Sequence, residues 1–564
     1  LSIAPPEDVA VNAAINLGTG RYQQTNTGSY TVAAGISITA GDIDIVADSD
    51  HDGLAADGVS VAGFVQTDGA GQILSSSSVG IEAANIEVND IQATTGAITL
   101  RATGNGPATG TIAENGGAAA GADLQAQTVN LISGATIDAD VDVTMALNVT
   151  SGGAVNVEDT AGGLPIGSIS ANAGAANVIL VSADGVSDAA ADVEADITAA
   201  DLNVTAAGAV DVDTDVATLT VDVAAGDITI DETDEITLTS LDTDAGAIAV
   251  NATGAVEVNV VAATGAVAVN AQNGAITDTG GNSDVDGATI SLVAGNGDIG
   301  AAGQAIAVDA TAMVNANASQ NNGSIWLTNS AGVFPAGLID AGSGDIAITA
   351  QAGFTDGNGA LTNLHGNDAT VTIAAPGAFD ADTDLDTITI AGATTVNVDG
   401  VDGLTVNSIA ATGQVDVTLA TGGLVLTDGA VAAAGQTVNL TADWIDSPIA
   451  ANGTVEVAGA TITMLANDGG IGAVNAIELT GSTVVNANSS AASGDVKLTS
   501  IGAAADLPLG NVNAGSGDIV LVSGRHVLDA NALGANLTGS AVEITATGTV
   551  GTAAEGLETS IAAL

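Results

Sequence analysis

The chain has 564 residues, 46% of them hydrophobic but only 1% aromatic, with 74 glycines, 8 prolines and no cysteine, and its 66 acidic residues against 4 basic ones give a net charge of -62. Such a balance excludes nucleic acid as a partner, which needs a basic patch, and an anionic membrane surface, which would repel it. The missing thiols exclude disulfides, thiol nucleophiles and zinc–thiolate sites. What remains is a chain with enough apolar residues for a core of Val, Ile, Leu and Ala, under an acidic surface that attracts cations.

Residues 1–34 form an N-terminal lead-in segment. The chain opens with Leu1, and neither a basic-then-apolar leader nor a long, unbroken apolar run appears. The expectation is a processed product or an excerpt of a longer protein.

The densest acidic group is "DSDHDGLAADG" (48–58). Asp48, Asp50 and Asp52 alternate and Gly53 follows, as in the first half of a calcium loop. The twelfth position is Val59 rather than Glu, so Asp57 would have to complete the site in another geometry. The expected ligands are therefore Asp48, Asp50, Asp52 and Asp57. The expected ion is Ca2+ or another divalent cation. The alternative is an acidic surface loop.

Further along, "GAVDVD" (208–213), "GDITID" (226–231), "GAIAVN" (246–251) and "GAVAVN" (265–270) form a series led by Gly208, Gly226, Gly246 and Gly265. Each alternates apolar and polar residues, the pattern of a strand with one buried face. A second series lies between them, in "EITLTS" (235–240), "GAVEVN" (254–259) and "GAITDT" (274–279). Two strands per period of about 19–20 residues, without any helical periodicity, predict stacked coils. In this arrangement Val210, Ile228, Ile248 and Val267 lie above one another, and each strand pairs with its equivalent one coil on. The fold class is all-β, a parallel β-helix (β-solenoid) of roughly 25–28 coils.

A longer repeat of about 170 residues overlies the short one. "GATISLVAGNGDIGA" (287–301) matches "GATITMLANDGGIGA" (459–473), and "AGSGDI" occurs letter for letter at 341–346 and 514–519. Pro165, Pro335 and Pro508 mark one point in three copies. Three super-repeats are expected, over residues 35–215, 216–385 and 386–564, the last incomplete at its C-terminal end. The natural chain is expected to continue.

Other motifs carry little chemistry. "GNGDIG" (295–300) fits a dinucleotide fingerprint, but no helix follows and the aligned copy reads "NDGGIG". His51, His365 and His526 do not align between copies and read as solvent-facing loop residues. Four scattered basic residues argue against cleavage of acidic polysaccharide, where Arg or Lys must stabilise developing negative charge. Carboxylate pairs for glycoside hydrolysis are available in so acidic a chain, but sugar sites usually carry aromatic platforms, and Trp326 and Trp444 do not occupy matching positions. The "GDI" turns place Asp at strand starts, where its side chain is expected to accept nearby backbone N–H groups.

The repeats "GDITI", "GQTVNLTA" (435–442) and "VGTAAEGLETSIAAL" (550–564) resemble those of large bacterial exoproteins of the filamentous haemagglutinin type. The resemblance covers about residues 35–564 and lacks that family's N-terminal secretion domain. It implies a right-handed parallel β-helix, exported by a bacterial secretion route to the cell surface or the extracellular space, with a part in adhesion or biofilm cohesion. It transfers no binding residue. The reading that follows is a non-enzymatic stalk or adhesin segment acting as a mechanical spacer with a cation-binding surface. Its expected partners are itself, adjacent segments of a longer chain, or cell-surface glycans and proteins. The alternatives are a self-assembling filament, sheath or surface-layer subunit stacked head to tail, and, third, a carbohydrate-active β-helix enzyme.

Overall fold

The computed structural model describes residues 2–3, 8–26, 28–47, 64–67, 71–104, 110–114, 121–191, 193–280, 284–502, 505–552 and 555–563. It is all-β, with 63% strand and about 23 parallel coils. Two single 3-10 turns, Asn172–Gly174 and Ser319–Asn321, are the helical elements among the described residues. The chain divides into two compact units, Leu1–Gly274 and Ala275–Leu564.

In the first unit the predicted stack forms residue for residue. Val210 pairs with Ile228, Ile228 with Ile248 and Ile248 with Val267; Val212, Ile230, Val250 and Val269 make the parallel column two positions on. All eight are at most 2% exposed. Alternation puts the intervening Asp211, Thr229, Ala249 and Ala268 outward. A register slip by one position would turn every one of these valines and isoleucines out to water, so burial fixes the register.

The coils are less uniform than the short period implies. The coil that joins Leu202 to its partner Leu219 is short, and the one that joins Ile228 to Ile248 matches the expectation. Those that join Ile346 to Ala369 and Val438 to Ile462 are longer. Longer corners consume more chain per turn, which is why the coils number about 23, fewer than the period alone predicts.

The second unit explains why "AGSGDI" recurs. Ala341 and Ala514 are fully buried. Gly342 and Gly515 adopt φ of +62° and +61°, a left-handed conformation that costs glycine nothing. At Gly344 and Gly517 a Cβ would stand 2.5 Å from the carbonyl oxygen of Gly323 or Gly494 in the preceding coil, so a side chain has no room. Asp345 and Asp518 each donate a backbone N–H to a side chain of the preceding coil, Ser324 Oγ and Asp495 Oδ1. Ile346 and Ile519 then enter the core. Burial of the alanine and isoleucine, the positive φ of the first glycine and the crowding of the second recur at both corners, and the sequence recurs with them.

Equivalent chemistry recurs beside this corner. Asn363 is fully buried, and its Nδ2 donates to Ala336 O, Gly337 O and Asp356 Oδ1. Asn536, its counterpart in the next copy, donates to Leu509 O, Gly510 O and Asp529 Oδ1. Pro165, Pro335 and Pro508 each occupy the second position of a strand, Leu164–Ala171, Phe334–Asp340 and Leu507–Asn513.

Aromatic scarcity conceals one ordered feature. Phe334, Phe354 and Phe379, three of the four phenylalanines, lie in successive coils of the second unit with ring centroids 5.4 and 5.0 Å apart and planes within 3° and 19° of parallel. All three are at most 1% exposed.

Candidate cation sites

The expected ligands Asp48, Asp50, Asp52 and Asp57 lie outside the described residues, as does His51. Carboxylates gather elsewhere, at three places in the first unit. Glu114, Asp123 and Asp140, then Asp188, Asp196 and Asp213, then Asp215, Glu232 and Asp234, each bring one oxygen per residue within 4.8 Å of the others.

Coil stacking builds the first group. Leu124 pairs with Ile91 on one side and with Val141 on the other. The residues just before them, Asp90, Asp123 and Asp140, therefore hold one position in three successive coils, and Asp140 pairs onward with Glu158. Glu114 ends the strand Ile112–Glu114, which is pinned by the Ile112–Ile137 pair. Asp90 is engaged by the amides of Gln72 and Gln92. Asp123 is different. It is 6% exposed, and its Oδ2 accepts no hydrogen bond from the described residues. Burial first, and then the charges of Asp140, Glu114, Asp90 and Asp138, together push its carboxyl up to about 7. Burial and neighbouring acids also lift Asp140, to about 6.

A groove of about 670 Å³ adjoins this group, lined by Gln125, Asp140, Glu158, Asp159 and Ser182 among others. Asp159 is 1% exposed; it accepts from Ser182 Oγ at 3.0 Å, and its Oδ1 has no partner among the described residues. Burial carries its carboxyl up to about 6 despite that bond.

The third group is satisfied from within. Glu232, 3% exposed, accepts from Thr214 Oγ1 and from the backbone N–H groups of Val216, Thr233 and Asp234. Burial still raises it to about 7. In the second group Asp196 Oδ2 accepts from Asp213 N and Asp188 Oδ1 from Ala190 N.

The turn aspartates behave differently from the expectation of a bond within their own turn. Asp227 Oδ1 accepts from Ala247 N, Asp298 Oδ1 from Ser324 N and Asp518 Oδ1 from Ala541 N, each one coil on. They tie coil to coil, because a stacked parallel turn presents its N–H directly over the carboxylate of the turn below.

The remaining candidates resolve singly. His365 is in a strand rather than a loop, its Nδ1 2.7 Å from Asp340 Oδ1 and its Nε2 3.9 Å from Asp384. His526 Nδ1 accepts from Thr549 N. "GNGDIG" is a coil corner in which Ile299 bridges Ile276 and Ile325. Trp326 lines a separate groove of about 460 Å³ with Gln304, Thr328, Thr349, Thr372 and Asp278. Among the described residues, the acid-rich groove beside Asp159 has no aromatic lining.

The signal for the Asp123 group was present in the sequence as "DIQA" (90–93) and "DLQA" (123–126). Their separation does not fit the short period, so a search tuned to that period passes over them. The chain matches no protein-family model, no curated protein and no solved structure.

Proposed function

We propose that this chain is a surface-exposed structural element, a β-solenoid stalk or adhesin segment of the kind its repeats resemble, exported to the cell surface and working mechanically. The observation that carries the reading is the in-register stacking of coil on coil within each unit. Many polar side chains are engaged in that stacking: Asp227, Asp298 and Asp518 bond to the next coil, and Asn363 and Asn536 close buried corners. A load along each stack is borne by parallel ladders and an aliphatic column, as in other repeat architectures where each coil contacts only its neighbours. The outward acids keep it hydrated and attract cations. Loops and neighbouring segments supply adhesion to glycans, proteins or further copies of the chain.

A carbohydrate-active enzyme fits less well, since the acid-rich groove and the tryptophan groove are separate. Electron microscopy of native material from its source tests the reading. Finite rods tethered to or shed from cells support the stalk. Continuous fibres with an axial repeat of one chain length overturn it in favour of a polymer subunit. Release of sugar from neutral or acidic glycans overturns the non-enzymatic assignment.

A further inference from the structure

We propose that Glu114, Asp123 and Asp140 form a specific divalent-cation site, of the size and hardness of Ca2+, in which the ion binds between successive coils of the first unit. The assignment is independent of the mechanical role above; a solenoid of any function can carry such a site.

Three observations converge. Each of the three residues brings a carboxylate oxygen within 4.8 Å of the other two. Oxygens that share one Ca2+ at ~2.3–2.6 Å lie no more than ~4.6–5.2 Å apart, so the three fall within reach of a single ion; Mg2+, which keeps several waters and takes one or two carboxylates, suits a three-carboxylate group less well. Next, Asp123 Oδ2 is buried and unpartnered among the described residues. An ionised carboxylate in that position bears its full desolvation cost, and the charges acting on it are all acidic. The third observation is the contrast with Glu232, equally buried in a comparable group, whose carboxylate is occupied by four N–H and O–H donors. The fold supplies donors where a carboxylate is structural; at Asp123 it supplies further carboxylates.

Donor chemistry narrows the ion. The ligands are all oxygen, with neither imidazole nor thiolate, which selects a hard cation over zinc or copper. Asp140 also lines the groove, which opens a path for the ion and for the water molecules that complete six to eight ligands. Stacking supplies the preorganisation. Because Asp123 and Asp140 hold one position in adjacent coils, the strand spacing of ~4.8 Å sets the distance between them.

The test must separate one site from the diffuse binding expected of so acidic a surface. The full chain, stripped with chelator, is titrated with CaCl2 by calorimetry in about 0.3 M NaCl, where diffuse binding is screened. We expect one equivalent bound at least tenfold more tightly than the rest, and more tightly than Mg2+ in a parallel titration. Asp123→Asn and, separately, Asp140→Asn abolish that equivalent. Asp211→Asn, an exposed acid away from the group, retains it. Asp123→Asn also melts higher than the wild type in chelator, because a neutral amide replaces a buried charge, and loses the Ca2+-dependent rise in Tm. If Asp123→Asn fails to fold, Asp140→Asn decides alone. Absence of a distinct tight class in the wild type overturns the proposal, as does its survival in both variants. Equal affinity for Mg2+ overturns the choice of ion.

Discussion

Phe354→Ala is the sharpest test of how the second unit holds together. Phe354 is fully buried and sandwiched between Phe334 and Phe379, each its registered partner in an adjacent coil. Truncating a buried phenylalanine costs ~3–5 kcal/mol through lost transfer energy and the cavity left behind. Two near-parallel ring pairs, each contributing ~0.5–1.5 kcal/mol, place this site at the upper end, about 5 kcal/mol. Phe354→Leu keeps most of the volume and loses only the ring pairs, so about 2 kcal/mol is expected. The assay is urea unfolding followed by tryptophan fluorescence. Trp326 lies in the strand Ile325–Thr328, near the ladder, whereas Trp444 lies in Trp444–Asp446, several coils on. In a stack where each coil contacts only its neighbours, the Trp326 transition moves more than that of Trp444. A loss below ~2 kcal/mol for Phe354→Ala, or equal losses for Ala and Leu, would refute the ladder as a source of stability.

Other outcomes follow from the same structure. Glu232 and Asp159 are raised to about 7 and about 6, from ordinary values of 4.5 and 3.8. The folded state thus holds these protons more tightly than the unfolded chain. The cost is absent below about pH 4, grows as pH rises, and is complete above about pH 7; for Glu232 it amounts to ~3 kcal/mol. Urea midpoints of the first unit, measured in chelator, should therefore fall from about pH 4.5 to about pH 7.5, and a rise would contradict the burial assigned to these groups. Asn363→Ala and Asn536→Ala each strand buried backbone acceptors and should lower stability by ~2–4 kcal/mol. The two sit in well-separated coils without shared partners, so they should add within ~0.5 kcal/mol in the double variant's thermal melt, and strong coupling would count against local bonding. Gly344→Ala and Gly517→Ala force a Cβ against a carbonyl oxygen. Both should melt lower than Gly342→Ala, whose Cβ meets the movable side-chain oxygen of Asn322 at 2.7 Å in addition to the ~1 kcal/mol penalty of the left-handed region.

Alternating valines and isoleucines, with glycine and aspartate at the corners, carried the fold in plain view. A strand buried on one face has a period of two whatever it packs against, so the sequence alone stacks Val210, Ile228, Ile248 and Val267. "AGSGDI" was legible as a repeat because the same buried and crowded positions recur at both corners. The grouping of Glu114, Asp123 and Asp140 was not legible, although the three acids are written as openly as any others. Glu114, Asp123 and Asp140 become neighbours through coils that depart from the period, a long one from Ile91 to Leu124 and a short one from Leu124 to Val141. Nor does composition distinguish Asp123 from Glu232. Both are acids in an acidic chain, and only the three-dimensional packing decides that one is met by backbone N–H groups while the other is left buried among carboxylates. The local alternation of residues determined the coil; the register between coils decided which charges meet.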